Sequence, residues 1–251
     1  MRYSGLPRGY EQFTVGNTRV VCAEAFADDF RFALRDSTLY EFAARCPDAR
    51  TYSGRGASYG IRLPASGAHV VVRHNRHGGA LAAITGDVFR SPTRARLELD
   101  VSERLRSVGV DTPQLVGYVR YPVAAGFERA DVATSEVDGS SDLSMSLMSS
   151  DPSVRERTLA ATASLIRKLA DVGARHHDLN IKNVLLEARQ ASTVPRAFVL
   201  DVDRVIFGLE RSRALEANLG RIVRSAQKWR RLHGAPVTDA ELDSFASMTR
   251  D

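Results

Sequence analysis

The sequence predicts an α+β chain in two lobes, an N-terminal antiparallel sheet with a supporting helix (residues 1–137) and a reduced, mostly helical C-terminal lobe (138–251). Three observations lead there. Short apolar runs bounded by Gly and Pro recur at 18–22, 61–63, 69–73, 115–121 and 131–137, with the length and punctuation of strands. Apolar residues in 154–172 and 214–232 recur at intervals of three and four, the period of helices. Between those helices lie ARHHDLNIKNVLL at 174–186 and FVLDVDRVIF at 198–207, polar clusters set against apolar runs that anchor them.

Taken in order, residues 25–34 read as a helix with Phe26, Phe30 and Leu34 on one side, and 38–44 as a second short helix. Residues 52–60 carry G-x-G-x-x-x-G between two strands. Gly54 and Gly56 at its tip would let backbone amides approach a phosphate, because no Cβ intervenes. The next strand, VVVR, ends in Arg73, a cation that presents a planar fork where Lys would present a point donor. His74, Asn75, Arg76 and His77 follow, dense in donors. With no carboxylate or Cys nearby in sequence they suit a phosphate or an anionic acceptor better than a metal. Ser91 and Pro92 suit a helix start, and Leu97, Val101, Leu105 and Val108 repeat along that helix until Gly109. Glu98, beside this stripe, is placed to pair with Arg73, with Glu103 as the competing partner. Glu136 and Val137, followed by Asp138-Gly139, stand where a hinge would offer backbone groups to a purine. Residues 140–152 read as a short helix and linker. In 154–172, Leu159, Ala163, Ile166 and Ala170 share a face, and Gly173 closes the helix.

The chemistry sits at His176, Asp178 and Asn183, which fit H-x-D-x-x-x-x-N, the spacing of a kinase catalytic loop, with Asp201 following at the end of the next apolar run. Asp178 can accept the proton of an attacking hydroxyl, and the oxygens of Asn183 and Asp201 are hard ligands suited to Mg²⁺. Either Asp alone would pass for a turn residue. Both in this order point to phosphoryl transfer from ATP on a protein-kinase-like fold. Only 50 residues follow Asp201 and no A-P-E element is present, so the expected acceptor is not a protein.

Composition narrows the partners. A net charge of +5 favours anionic ones, nucleotide, nucleic acid or a phosphorylated membrane surface, without choosing among them. Lys occurs only at 168, 182 and 228, a skew towards Arg that a GC-rich genome explains. Cys22 and Cys46 lack C-x-x-C spacing, which argues against a zinc site or a disulfide framework and fits a reducing cytoplasm. No run of 18 apolar residues and no signal-peptide core is present, so neither secretion nor a membrane span is expected. In 214–232 the stripe Leu215, Leu219, Ile222, Ala226 and Trp229 is flanked by Arg211, Arg213, Arg221, Arg224, Lys228, Arg230 and Arg231. That basic face either meets solvent or contacts lipid phosphates.

RHNRHGG at 73–79, the Arg-rich helix with Glu98, HHDLNIKNVLL, LDVDR at 200–204 and NLGRIVRSAQK at 218–228 together resemble the lipopolysaccharide kinase family, and within it the 3-deoxy-D-manno-octulosonic acid (Kdo) kinases. The resemblance spans roughly 52–229. It implies a protein-kinase-like fold, ATP and Mg²⁺, and phosphorylation of a Kdo hydroxyl on a lipid A precursor at the cytoplasmic face of the inner membrane. Its implied partners are a lipid-linked sugar and an anionic membrane surface, with no nucleic acid and no obligate protein partner. Carried over by position, Asp178 is the base, Asn183 and Asp201 are metal ligands, and Arg73 is the phosphate-binding cation. Arg76, His77, Arg204, Arg221 and Arg224 are acceptor or anion contacts. Val202 and the second His at 177 depart from the usual pattern without removing a ligand. Two alternatives stay open: a kinase of a soluble small molecule such as an aminoglycoside or sugar, and a nucleotide-binding pseudokinase scaffold motivated by Arg73.

Overall fold

The computed structural model describes residues 5–52, 56–75, 87–90, 93–124, 126–187 and 194–251; Gly54, Arg76, His77, Ser91 and Pro92 lie outside them. The fold is mixed α and β, and the chain divides into two compact units. One comprises residues 1–103 and 114–136, the other 104–113 and 137–251.

The first unit is built on an antiparallel sheet. Its strands are β1 (Tyr10–Val15), β2 (Thr18–Ala23), β3 (Arg50–Tyr52), β4 (Ser58–Arg62), β5 (His69–His74), β6 (Phe89–Arg90), β7 (Leu115–Ala124) and β8 (Phe127–Ser135). They run in the order β1-β2-β7-β8-β5-β4-β3, and β6 pairs with β8. Alternation along β2 assigns each face: Val20 and Cys22 join one cluster with Phe30, Leu39, Val70 and Val72, while Val21 and Ala23 join another with Ala95, Leu99 and Leu115. Helices α1 (Ala27–Ala33) and α2 (Leu39–Arg45) supply the first cluster, and α3 (Ala95–Ser107) the second. Thr38 and Glu41 form a reciprocal capping box that starts α2.

Sequence patterning missed β1. Its outward residues are polar, and the signal was the two-residue Gly16-Asn17 loop that brings Val15 opposite Thr18. On α3 the expected stripe holds at Val101 and Leu105, which are buried, and fails at its two ends. Leu97 and Val108 are about half exposed, whereas Ala95, Glu98, Leu99, Ser102 and Leu105 are buried. The buried face includes Glu98 because a charged partner meets it there, and a hydrophobic count cannot see that.

The second unit is helical around a small sheet. Strands β9 (Ser140–Asp142), β11 (Val184–Glu187) and β12 (Arg196–Val199) pair in the order β12-β11-β9, and β10 (Arg175–His176) pairs with β13 (Val205–Ile206). After the short α4 (Leu143–Leu147) comes α5 (Pro152–Asp171), capped by Asp151 with Pro152 in its first turn. Leu159, Ala163, Ile166 and Ala170 are buried on it, as their spacing predicts. Gly173 adopts φ +63° against the Leu209 carbonyl, where a Cβ would stand 2.6 Å from that oxygen. Helix α6 (Arg211–His233) buries Leu215, Leu219, Ile222 and Ala226. A last helix, α7 (Asp239–Arg250), was not expected, although Thr238 and Glu241 write its capping box plainly. Arg155 on α5, almost fully buried, reaches Glu241 at 2.8 Å and the Ser149 carbonyl at 2.7 Å.

Candidate active site

The loop from β10 to β11 carries Asp178 and Asn183, and the turn after β12 carries Asp201. Antiparallel pairing of β11 with β12 sets Val184 opposite Val199, so Asn183 and Leu200 meet just beyond the ladder, where the Leu200 N–H donates to the Asn183 carbonyl at 2.9 Å. The Asn183 side-chain amide donates to the Asp178 carbonyl at 2.9 Å. His176, fully buried, accepts the Asp178 N–H on Nδ1 at 3.0 Å and contacts the Leu200 carbonyl through Nε2 at 2.9 Å. Since Nδ1 accepts, the proton is on Nε2. Burial pushes the His176 pKa down, keeping the ring neutral as this pair of bonds requires. One histidine thus ties the backbone at 178 to the backbone at 200, beside all three candidate side chains.

Asp201 is exposed and sits at φ 53°, ψ 45°, the one non-glycine residue with positive φ among the described residues. A left-handed Asp costs on the order of 1–3 kcal/mol and persists where the surroundings impose it, as at functional turns. The N–H of Arg204 returns to the Asp201 carbonyl at 3.3 Å, and the Arg204 carbonyl accepts from His177 at 2.9 Å, so the two loops are fastened again beyond the site.

The donor set suits Mg²⁺. With its amide nitrogen engaged at Asp178, Asn183 keeps its carbonyl oxygen as a hard ligand, and Asp201 adds a carboxylate. Among the described residues no three His, Cys, Asp or Glu side chains gather into a metal cage. Mg²⁺ characteristically takes one or two protein oxygens and completes its shell with phosphate and water.

Helix α6 holds this loop by one face. Asn218, fully buried, accepts the His176 N–H at 3.0 Å and donates to the Ala174 carbonyl at 2.9 Å. Arg221 donates to the Leu179 carbonyl at 3.1 Å and to the Asp178 carboxylate at 3.3 Å. Ser225 accepts the Ile181 N–H at 3.2 Å. Positions 218, 221 and 225 are three and four apart, so one helix face carries all three bonds. Sequence reasoning missed Asn218 and Ser225; a small polar residue on the edge of an apolar stripe was the available signal. The basic face of α6 is partly neutralised, Arg211 by Asp171 at 2.7 Å and Arg230 by Asp239 at 2.8 Å, while Arg213, Arg224, Lys228 and Arg231 are exposed.

In the first unit, Arg73 at the end of β5 pairs with Glu98 on α3 and donates to Asn75 at 2.8 Å. Glu103, the competitor, accepts from Tyr10 at 3.2 Å. Next to Arg73, His74 lies between Asp131 at 2.5 Å and Asp87 at 2.9 Å. The Glu136 carboxylate is buried against Arg50 at 2.5 Å and Tyr52, and its N–H donates to the His69 carbonyl at 3.0 Å; the Val137 carbonyl accepts the Ser140 hydroxyl at 2.6 Å. Gly60 is needed for this packing, because a Cβ there would come 2.9 Å from the Tyr52 ring. Gly56 is partly buried in the bend before β4.

The sequence profile of the lipopolysaccharide kinase (Kdo/WaaP) family matches residues 51–248. The chain is 30% identical over 203 residues to a 3-deoxy-D-manno-octulosonic acid kinase of Xylella fastidiosa strain 9a5c, covering 78% of this chain and 75% of that one. It is 27% identical over 199 residues to the enzyme of the same name from Vibrio vulnificus strain YJ016, covering 77% and 79%. Its fold is similar to that of WaaP in a solved complex with acyl carrier protein, at a TM-score of 0.58 and 20% identity over 92% of this chain and 88% of that one. The candidate Asp178, Asn183 and Asp201, fastened together on a kinase-like fold, agree with those matches, and the chain belongs to the lipopolysaccharide kinase (Kdo/WaaP) family, phosphotransferases acting on a sugar hydroxyl.

Proposed function

We propose that this chain transfers the γ-phosphoryl group of ATP to a Kdo hydroxyl of a lipid A or inner-core precursor. The observation that supports the reading is the hydrogen-bonded ring through Asp178, Asn183, Leu200 and His176, which holds the candidate base and the two candidate metal ligands on neighbouring backbone segments. Asp178 accepts the proton of the attacking hydroxyl. Asn183 and Asp201 hold Mg²⁺, which when bound neutralises phosphate charge. Arg73, oriented by Glu98, binds phosphate oxygens, and the backbone around Gly54 and Gly56 covers them. Glu136 and Val137 supply the purine contact, and Arg76, His77, Arg204, Arg221 and Arg224 meet the acceptor's anionic groups. Positioning and charge stabilisation provide most of the acceleration, as in phosphoryl transfer generally.

Among the described residues no helix is long and apolar enough to cross a membrane. In this reading the lipid-linked acceptor is met at the cytoplasmic face of the inner membrane. The test is purified protein with labelled ATP, offered Kdo-bearing lipid A precursor, free sugars and a protein substrate. Label passing to the lipid, and lost in Asp178→Ala at unchanged melting temperature, is the expected result. Full activity of that variant would remove Asp178 from its role.

A further inference from the structure

Beside the catalytic loop, within the second unit, a cleft of about 500 Å³ opens between residues 179–182 and the later turns of α6. Lys182, Arg221, Arg224, Lys228 and His233 line it, together with Trp229, and among the described residues no carboxylate does. Elsewhere on α6, Arg211 pairs with Asp171 and Arg230 with Asp239, while of the cleft's cations Arg221 pairs with Asp178. The wall is rigid where it meets the chemistry, because Arg221 and Ser225 fasten the backbone of 179 and 181 to the helix. The Trp229 ring lies 3.7 Å centroid to centroid from that of His233, and the Lys182 ammonium lies 4.9 Å from its ring centroid. Its buried indole N–H has no hydrogen-bond partner among the described residues, a cost tolerated more readily at a ligand wall than in a core.

We propose that this cleft binds an oxyanion carried by the acceptor, and that Lys182 and Lys228 are its principal cations. Arg221 joins the occupied cleft to Asp178, since one guanidinium touches both the Leu179 carbonyl and the Asp178 carboxylate. An anion seated there places a nearby hydroxyl of the same molecule within reach of the candidate base, which converts binding energy into orientation. The inference rests on the sugar-kinase reading and names what in the acceptor is recognised. Two sources offer that chemistry, the carboxylate of the sugar acid itself and a phosphate borne by the glycolipid.

Trp229 is the sole tryptophan of the chain, so its fluorescence reports this cleft without any turnover. The full chain, without ATP, is titrated with free 3-deoxy-D-manno-octulosonic acid, its methyl ester and inorganic phosphate. Saturable change with the acid and not the ester identifies the carboxylate; saturation by phosphate alone identifies the phosphate. In either case Lys182→Ala and Lys228→Ala should each raise Kd about tenfold, the effect of one charge-assisted hydrogen bond, with recovery in the Lys→Arg variants. Arg224→Ala, at an exposed position, serves if a lysine variant fails to fold.

Equal affinity in all variants, no saturable response to either anion, or a response only to anionic vesicles would overturn the proposal. The two readings fail separately. Wild-type protein that phosphorylates the lipid but shows no response in the cleft sinks this inference alone. Protein that binds the sugar acid here yet never transfers phosphate to the Kdo-bearing lipid sinks the kinase reading alone.

Discussion

Asn183 donates its side-chain amide to the backbone carbonyl of Asp178 at 2.9 Å, so the candidate metal ligand and the candidate base form one hydrogen-bonded unit six residues long. The same bond decides which atom of Asn183 faces outward, its oxygen. The two side chains therefore fail in different ways when altered.

Asn183→Asp removes that donor and sets a carboxylate against a carbonyl in a nearly buried position. It should lower stability by about 1–3 kcal/mol, read as a reduced melting temperature, as well as activity. Asp178→Asn has the opposite profile. Its side chain is 40% exposed and its ion pair with Arg221 contributes at most about 1 kcal/mol, so melting should scarcely move, while kcat falls by about 10²–10⁴-fold with loss of the base.

Arg73 poses the question of whether a guanidinium replaces the usual strand lysine. Its fork serves Glu98 and Asn75 together, which an ammonium does less well. Arg73→Lys should keep the charge and raise the KM for ATP only moderately. Arg73→Ala leaves Glu98 buried without this partner and should cost on the order of 1–3 kcal/mol, less than a fully buried pair because Arg73 is partly exposed. Thermal melts and ATP KM, measured together, separate the two effects.

The sequence made the ends of strands legible and the phases of helices less so. Arg73 and Asp201 stand where short apolar runs stop and Asn183 where one starts, because the bounds of such a run locate the residues at the edge of the sheet. The pairing of Arg73 with Glu98 followed from the order of a strand-end cation and a helix Glu, as in kinases, and the structure chose Glu98 over Glu103. On α3 the stripe was right at Val101 and Leu105 and wrong at Leu97 and Val108, because the buried face also takes in Glu98 and Ser102, which a hydrophobic count passes over. His176 and Asn218 were illegible as scaffolding: their partners are backbone groups, and nothing in a side-chain pattern says which carbonyl will be near.

His74 should make stability depend on pH. Burial alone pushes its pKa down, but its hydrogen bonds and charge interactions, first with Asp131 and then with Asp87, outweigh this and raise it above the ordinary value of 6.5. Asp131 is fully buried and also accepts from the Tyr121 hydroxyl and the Tyr40 N–H. A raised folded pKa means that the stabilising contribution is complete below about pH 6.5 and is lost as pH climbs through the folded value. His176 runs the other way: with its folded pKa lowered, its contribution is complete above about pH 6.5 and declines as pH falls towards the folded value. Melting curves of His74→Gln against the parent should show the parent's advantage shrinking on the alkaline side; a constant difference from pH 5 to 9 would contradict a charged His74.

Asn218 offers the cleanest separation of scaffold from chemistry, because it touches only backbone. It accepts from the His176 N–H and donates to the Ala174 carbonyl, on a helix whose neighbouring turns hold 178, 179 and 181. Asn218→Ala strands one buried donor and one buried acceptor, each costing about 1–3 kcal/mol, and so should lower the melting temperature more than any change at Asp178. Asn218→Asp keeps the acceptor for His176 but replaces the donor with a buried charge beside a carbonyl, and should be at least as damaging. Asn218→Ser, too short to span both groups, cannot rescue. If the residue acts only by fixing the loop, the surviving folded fraction at low temperature should bind nucleotide with near-parental affinity while kcat falls through misplacement of Asp178. Unchanged kcat at full folding would mean that Arg221 and Ser225 hold the loop without it.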